Sequence, residues 1–464
     1  MKKRYLIYIM LIWGILVFPF AGMICWTTNE TTENTELAEW PELKENGRWN
    51  KNFLSDAGSY FEDHFAFRQY MVTANSELYG AVFHMSPISK VVVGKKGWLY
   101  FDGTLKDYQG TDVFTEREYF AVVHNLSLIQ QYVEQQGSKF FLTIAPNKNS
   151  LYGEYMPYYL KSGSERNMSE LPKRLKNAGI NYVDLFTAFG NQDEILYFKR
   201  DSHWNVKGAV LAYNVLADAM EMEHETYLNV PVEQVRMHRG DLDLMLYPLA
   251  AEKENDYIYN NVWKHFYVNN VSDNMDEWIE TCHPEKTGTL LMYRDSFGES
   301  LLPFFAEAVN KGYFSRLVPY NLTQIEQYNP DYVIIERVER EISDFMKKAP
   351  IMEPVVVENI LTLENKTDST ITAEKQGSYL MVSGKIDSDY IEDETEIFVS
   401  IRDNDSMETK TYPVFYIQSG EGEISGYQVY LKGRSVPIGN IHINTIVENE
   451  GQFVIVASQD TNWE

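Results

Sequence analysis

The chain predicts an α/β fold, a mostly parallel sheet with flanking helices, followed by a smaller all-β, sandwich-like domain. Three observations carry this. Up to about residue 340, short apolar runs alternate with segments of helical period, the pattern of strands buried between helices. After about Pro350, short alternating stretches separated by turn residues take over. A chain of 464 residues also exceeds one ordinary hydrophobic core, so two folded domains are expected.

Taken in order, residues 1–26 read as a membrane anchor or signal segment. Lys2, Lys3 and Arg4 precede an uncharged stretch from Tyr5 to Trp26. At about 1.5 Å per residue that stretch can cross a hydrocarbon core of roughly 30 Å. Basic residues ahead of it and none just behind it, where Glu30, Glu33 and Glu36 follow, predict a single N-in, C-out span on a bacterial cell membrane, with the remaining chain extracytoplasmic. Cleavage near Ala21-Gly22-Met23, which would release a secreted chain, is the alternative, although no clean Ala-x-Ala pattern is present. Residues 27–49 are polar and acidic, a linker.

The α/β domain is expected over residues 50–349. Its helices are expected at Asn52–Phe83, Glu116–Gln136 (stopped by Gly137), Val206–Met220 and Leu301–Val309. A hairpin is expected over Val91–Phe101, turning at Lys95-Lys96-Gly97. Strands are expected at Phe140–Ile144, Ile180–Leu185, Glu194–Phe198, Thr289–Tyr293 and Asp331–Ile335. Residues 350–464 supply the all-β strands, among them Ser378–Ile386, Glu396–Arg402 and Gly426–Leu431.

Composition narrows the partners. With 67 acidic against 41 basic residues and a net charge of −26, the chain is a poor match for nucleic acid, and any anionic polymer would need a local basic patch. Only Cys25 and Cys282 occur, and the first lies in the apolar segment, so the exported part holds one thiol and no internal disulfide. Its 32 Tyr and 9 Trp suit cores first and sugar stacking second.

Two expected strand-to-helix junctions carry chemistry. One is Arg200-Asp201-Ser202-His203-Trp204-Asn205, the other Arg294-Asp295-Ser296-Phe297-Gly298. A hydroxyl is a weak nucleophile at neutral pH; it needs a base to take its proton and an acid to hold that base's tautomer. Ser296, His203 and Asp201 supply those parts. Residues two apart in a turn can project to the same side, so Asp201 can orient His203. The junction lifts Ser296 to the carboxyl end of the sheet and aims free helix amides at it, while Gly298 would let a substrate approach the backbone. A plainer account makes Asp295, Ser296, Asp201 or Ser202 helix caps, Trp204 core and His203 a solvated loop residue. Complementary groups on two such junctions favour function.

Asn147 and Lys148, after the strand Phe140–Ile144, are candidate oxyanion or substrate donors, with Lys148 as an exposed loop cation the alternative. Arg294, Phe297, Gly298 and Trp204 complete that candidate set, and Arg239-Gly240-Asp241-Leu242 reads as a turn supporting the site. Asp201, His203 and His238 lack a second close cluster with zinc-like spacing, and no phosphate loop is present, so neither a metal nor another cofactor is expected.

The segments DSHWNVKGA (201–209), YRDSFG (293–298), IAPNKNSLY (144–152), VVVGKKGWLYF (91–101), YFEDHFAFR (60–68) and RGDLDLML (239–246) resemble the DHHW and AlgX/AlgJ-like proteins of polysaccharide O-acetylation, over roughly residues 50 to 340. The resemblance implies an SGNH-hydrolase-like fold with permuted motif order, Ser296 as nucleophile, His203 as base and Asp201 as its partner. It implies an extracytoplasmic O-acetyltransferase with a polysaccharide acceptor and a membrane-bound O-acyltransferase as donor-side partner, and a carbohydrate-binding role for residues 350–464, for which a plain structural or interaction module is the alternative. Arg294 stands where an SGNH glycine would, and no Gly-x-Asn-Asp block is visible. An acetyl esterase acting on a surface glycan, or a non-catalytic glycan-binding or assembly protein, are the alternatives.

Overall fold

The computed structural model describes residues 2–23, 26, 37–45, 47–83, 85–163, 166–260, 263–357, 360, 362–364, 367–419, 423–449 and 451–464. Its central sheet has seven strands: β1 (Lys139–Ala145), β2 (Tyr182–Val183), β3 (Phe266–Tyr267), β4 (Trp278–Cys282), β5 (Thr289–Tyr293), β6 (Lys311–Ser315) and β7 (Tyr332–Val338). Their order is β2-β1-β7-β5-β6-β4-β3. From β2 to β6 neighbours run parallel, whereas β4 and β3 are added antiparallel, so the sheet is mixed, with four of its six pairings parallel. The loop 283–288 between β4 and β5 is too short for a helical crossover, so the chain reverses there.

Side-chain alternation splits the buried strands between two cores. Leu291 and Tyr293 of β5 join Val333 and Ile335 of β7 on one face; Leu290, Met292 and Ile334 lie on the other. The first face is covered by the helix Glu116–Gln135, whose start is set by a reciprocal capping box between Thr115 and Glu118. The second is covered by the helices Val206–Ala219 and Leu302–Ala308.

Beyond residue 350 the chain forms a five-stranded and a four-stranded sheet. Val382 of one and Val399 and Ile441 of the other share a core with Val122 and Ile129 of the helix Glu116–Gln135. Buried Asn125 ties this packing together, donating to the carbonyls of Phe345 and Tyr416 and accepting from the Tyr416 N–H. At the other end of the chain, Lys2–Gly22 is a helix long and apolar enough to cross a membrane. Of the expected 27–49 linker, residues 27–36 and 46 lie outside the described residues.

Several elements differ from expectation. The helix foreseen over Asn52–Phe83 is two, Phe53–His64 and Arg68–Phe83, because Phe65 turns extended and Phe67 takes a φ of 66°. Glu194–Phe198 forms no strand; Tyr197 makes a single bridge to Trp204, so this segment folds back on its own turn. Ile180–Leu185 contracts to β2. An unforeseen hairpin pairs Val232–Arg239 with Lys253–Tyr259.

Candidate active site

Ser296 stands just beyond the carboxyl end of β5, where the backbone leaves the sheet and enters a 3-10 turn, Phe297–Glu299, ahead of the helix Leu302–Ala308. Asp295 shapes this turn. One of its oxygens accepts the Phe297 N–H at 2.8 Å and the other the Val338 N–H at 2.7 Å, lashing the turn to the end of β7. The Asp295 N–H in turn donates to Glu336, whose carboxyl burial and the Asp295 charge hold well above the usual range. The amides on either side of Ser296 are thereby occupied. A side chain at position 298 would overlap the Arg294 Cβ at 2.6 Å and Glu336 at 2.9 Å, so the glycine there is required by interior packing, not by an approaching substrate as expected.

His203 arrives from the fold-back turn. Its backbone carbonyl accepts the Phe198 N–H and Asn205 donates to Leu196, while the Asn205 side chain caps the helix Val206–Ala219 by accepting the Gly208 N–H. The ring then reaches Ser296, with Nε2 2.8 Å from Oγ, and Nδ1 lies 2.8 Å from Asp201 Oδ1. A proton on Nδ1 leaves Nε2 free to accept from the serine.

Asp201 is buried and accepts from every side. Besides the His203 ring it takes the His203 N–H at 2.8 Å, the Asp241 N–H at 3.0 Å and the His238 ring at 2.9 Å. Burial alone would raise this carboxyl, but the two imidazoles outweigh it and hold it well below the usual carboxylate range. Burial likewise opposes charge on His203, yet the bond to Asp201 and the charges of Asp201 and Asp241 raise its pKa above that of an ordinary imidazole. The Asp241 carboxylate holds the Ser202 N–H at 2.8 Å and the Ser202 hydroxyl. A Cβ on Gly240 would overlap the Arg200 carbonyl, so the 239–242 turn packs against the 200–203 turn, where the sequence placed it as a support. Asp201, His203 and Asp241 also bring one ligand atom each within 4.8 Å of one another, though each of these residues is engaged in the bonds just given.

The other candidates divide. Trp204 is buried between Phe189 and Phe297, donates to Ser300 at 2.6 Å and lines the cavity beside Ser296. Phe297 is fully buried, 4.8 Å from the His203 ring, and acts as its backstop. Three candidates turn away from the serine. Asn147 donates to Asp107 and to Glu339. Arg294 is buried and donates to the carbonyls of Asn274 and Asp295. Lys148 is neither an exposed cation nor an oxyanion donor. Its Nζ is buried against the carbonyls of Phe198, Lys199 and Asp201, and burial pulls its pKa down to about 8.

The sequence pattern brings His238 to notice only in a metal check that it fails, and gives no sign of its bond to Asp201. The hairpin that carries it was also missed; alternation at Val235 and Met237 and the Tyr257-Ile258-Tyr259 run were the available signs. This hairpin walls a cavity of about 620 Å³ that opens onto Ser296, His203 and Asp201.

Sheet and site together bring a serine, a histidine and an aspartate into one hydrogen-bonded chain at the carboxyl edge of an α/β sheet. Residues 91–255 match the family model described as the SGNH hydrolase-like domain of the acetyltransferase AlgX. The resemblance read from the sequence is thus borne out over a stretch that includes Asp201 and His203 and ends before Ser296. The chain is 26% identical over 253 residues to the probable alginate O-acetylase AlgJ of Pseudomonas syringae pathovar tomato, covering 52% of this chain and 60% of that relative. It therefore spans less than two thirds of that relative's length. Among solved structures, Bacillus cereus PatB1 with a sulfonyl adduct is 14% identical with a TM-score of 0.44, covering 55% of this chain and 97% of the other. A DHHW family protein from Eubacterium siraeum is 14% identical with a TM-score of 0.40, covering 54% and 91%.

Proposed function

We propose that the protein is an extracytoplasmic O-acetyltransferase that passes an acetyl group through Ser296 to a hydroxyl of a cell-surface or exported polysaccharide. The observation that carries this is the unbroken chain from Ser296 Oγ through both nitrogens of His203 to Asp201, 2.8 Å at each link. The names of the curated relatives, probable alginate O-acetylases, support the acetyl group and the glycan acceptor.

In the first half-reaction Ser296 Oγ bonds to the acetyl carbonyl carbon as its proton passes to His203 Nε2; the donor's leaving group then departs with that proton. In the second, a sugar hydroxyl gives its proton to Nε2 while its oxygen bonds to the same carbon, and Oγ leaves with the proton. Asp201 keeps Nδ1 protonated and stabilises the imidazolium between steps. With the flanking amides occupied, the Ser296 N–H is the backbone donor for the developing oxyanion.

On this account Lys2–Gly22 anchors the chain with its amino terminus inside, residues 50–349 form the catalytic domain, and residues 350–464 contact glycan. A membrane-bound O-acyltransferase delivers the acetyl group. The experiment is to treat the full chain with p-nitrophenyl acetate and map the adduct by mass spectrometry. An acetyl on Ser296, absent from Ser296→Ala and His203→Ala, is expected; an unmodified serine refutes the mechanism. Acetylated glycan marks transfer, and acetate release indifferent to any acceptor marks an esterase.

A further inference from the structure

We infer that the cavity beside Ser296 takes an uncharged glycan segment and rejects polyuronates, an inference about the acceptor that rests on the acetyl-transfer reading above. The cavity, about 620 Å³, lies within the size range of small-ligand sites, and one wall presents Tyr257, Tyr259 and Trp263. Flat rings of this kind stack on the C–H faces of pyranoses while their polar tips remain available for hydroxyls.

Charge then separates sugar classes. Asp201, Asp241, Asp256 and Glu299 all line the cavity, and Arg239 is the one lysine or arginine among its lining residues. Of the cations nearby, Arg294 and Lys148 are committed to the buried carbonyls already described, Arg316 to the Met275 carbonyl, and Lys207, which lies over the Tyr257 ring, to Glu194, while Arg340 sits over the Phe297 ring and does not line the cavity. Burial raises Asp241, Asp256 and Glu299, but protonation of a carboxyl makes it neutral and supplies no cation. A uronate residue would bring its own carboxylate into this acidic lining, and repeated uronates would meet a chain of net charge −26. Alginate is a polyuronate, so on this point the chain departs from the named acceptor of its curated relatives.

The test is equilibrium binding by calorimetry to the full-length Ser296→Ala protein, which keeps the cavity whether or not the serine is ever acetylated. Neutral oligomers of glucose, galactose, mannose and N-acetylglucosamine would be compared with oligomannuronate and oligogalacturonate of equal length. At least one neutral series should bind about tenfold or more tightly than either uronate, with the gap narrowing as salt rises. Trp263→Ala should weaken that neutral oligomer by about tenfold. Uronates binding as tightly as the best neutral oligomer, or no neutral oligomer binding, would overturn the inference. Absence of an acetyl on Ser296 would overturn only the transfer reading.

Discussion

The two turns that meet at the site use one device for different ends. Asp201 accepts the N–H of residue 203 at 2.8 Å, and Asp295 accepts the N–H of residue 297 at the same distance, so each aspartate closes a short loop on the residue two ahead. They diverge at the remaining acceptor positions. Asp295 gives its second oxygen to the backbone of Val338, whereas Asp201 faces two imidazoles, one of which reaches the serine. One aspartate is a brace and the other an orienter, although in sequence Asp295 is the one adjoining Ser296.

The comparison breaks most visibly under matched amides. Asp201→Asn should lower the rate of Ser296 acetylation by about 10⁴-fold, because the amide no longer fixes the Nδ1-protonated tautomer. Asp295→Asn should cost about 2–3 kcal/mol of stability by turning an N–H toward the Val338 N–H, yet keep acetylation within about a hundredfold of the parent where it stays folded. Burst kinetics with an activated acetyl ester, paired with denaturant melts, reads both. An equal rate loss in the two variants at unchanged stability would erase the distinction.

That distinction was half legible in the sequence. The junctions themselves could be placed because Thr289–Tyr293 is a continuous apolar run and Val206 onward keeps a helical period, both local properties of the chain. What each aspartate bonds to depends on segments far away: Val338 lies 43 residues from Asp295, and His238 lies 37 from Asp201. Lys148 was misplaced for a related reason. A lysine after a strand is ordinarily solvated, and three carbonyls gathered from the 198–201 turn reverse that preference without altering anything near it in sequence. The antiparallel edge was missed because β3 is two residues long and β4, unlike the apolar run of β5, interrupts its apolar residues with Glu280 and Thr281.

The carbonyl cluster sharpens the comparison next. Lys148→Met should strand three buried carbonyls beneath the Asp201 turn, costing about 2–4 kcal/mol and, through misplacement of His203, about a hundredfold in acetylation rate. Under the Ser296 turn the buried cation is Arg294, which gives that turn a single long bond to the Asp295 carbonyl in place of three, so its equivalent perturbation is Gly298→Ala. That methyl meets Arg294 and Glu336, and should cost about 1–3 kcal/mol with a smaller rate loss. Thermal melts and the same burst assay rank the two; a larger rate loss in the glycine variant would reverse the assignment of which turn sets the geometry.

The smallest effect isolates the second imidazole. Since the bond to Asp201 and the neighbouring acids raise His203 against the opposing effect of burial, acetylation should rise with pH through a midpoint above the ordinary imidazole value of 6.5. Neutral Nε2 is the active form, so activity lies on the alkaline side. His238→Phe retains a ring against Phe198 but removes one of the two donors to Asp201 Oδ2, leaving the Asp241 N–H. The carboxylate is then less neutralised and holds the proton on His203 more tightly, so the midpoint should move up. The rate at pH 7 should fall by a few-fold while the alkaline plateau stays near the parent's. His238→Gln, which can still donate, should return the midpoint toward the parent's. A loss uniform across pH, or a midpoint moving down, would show that His238 merely packs and does not share the aspartate's charge.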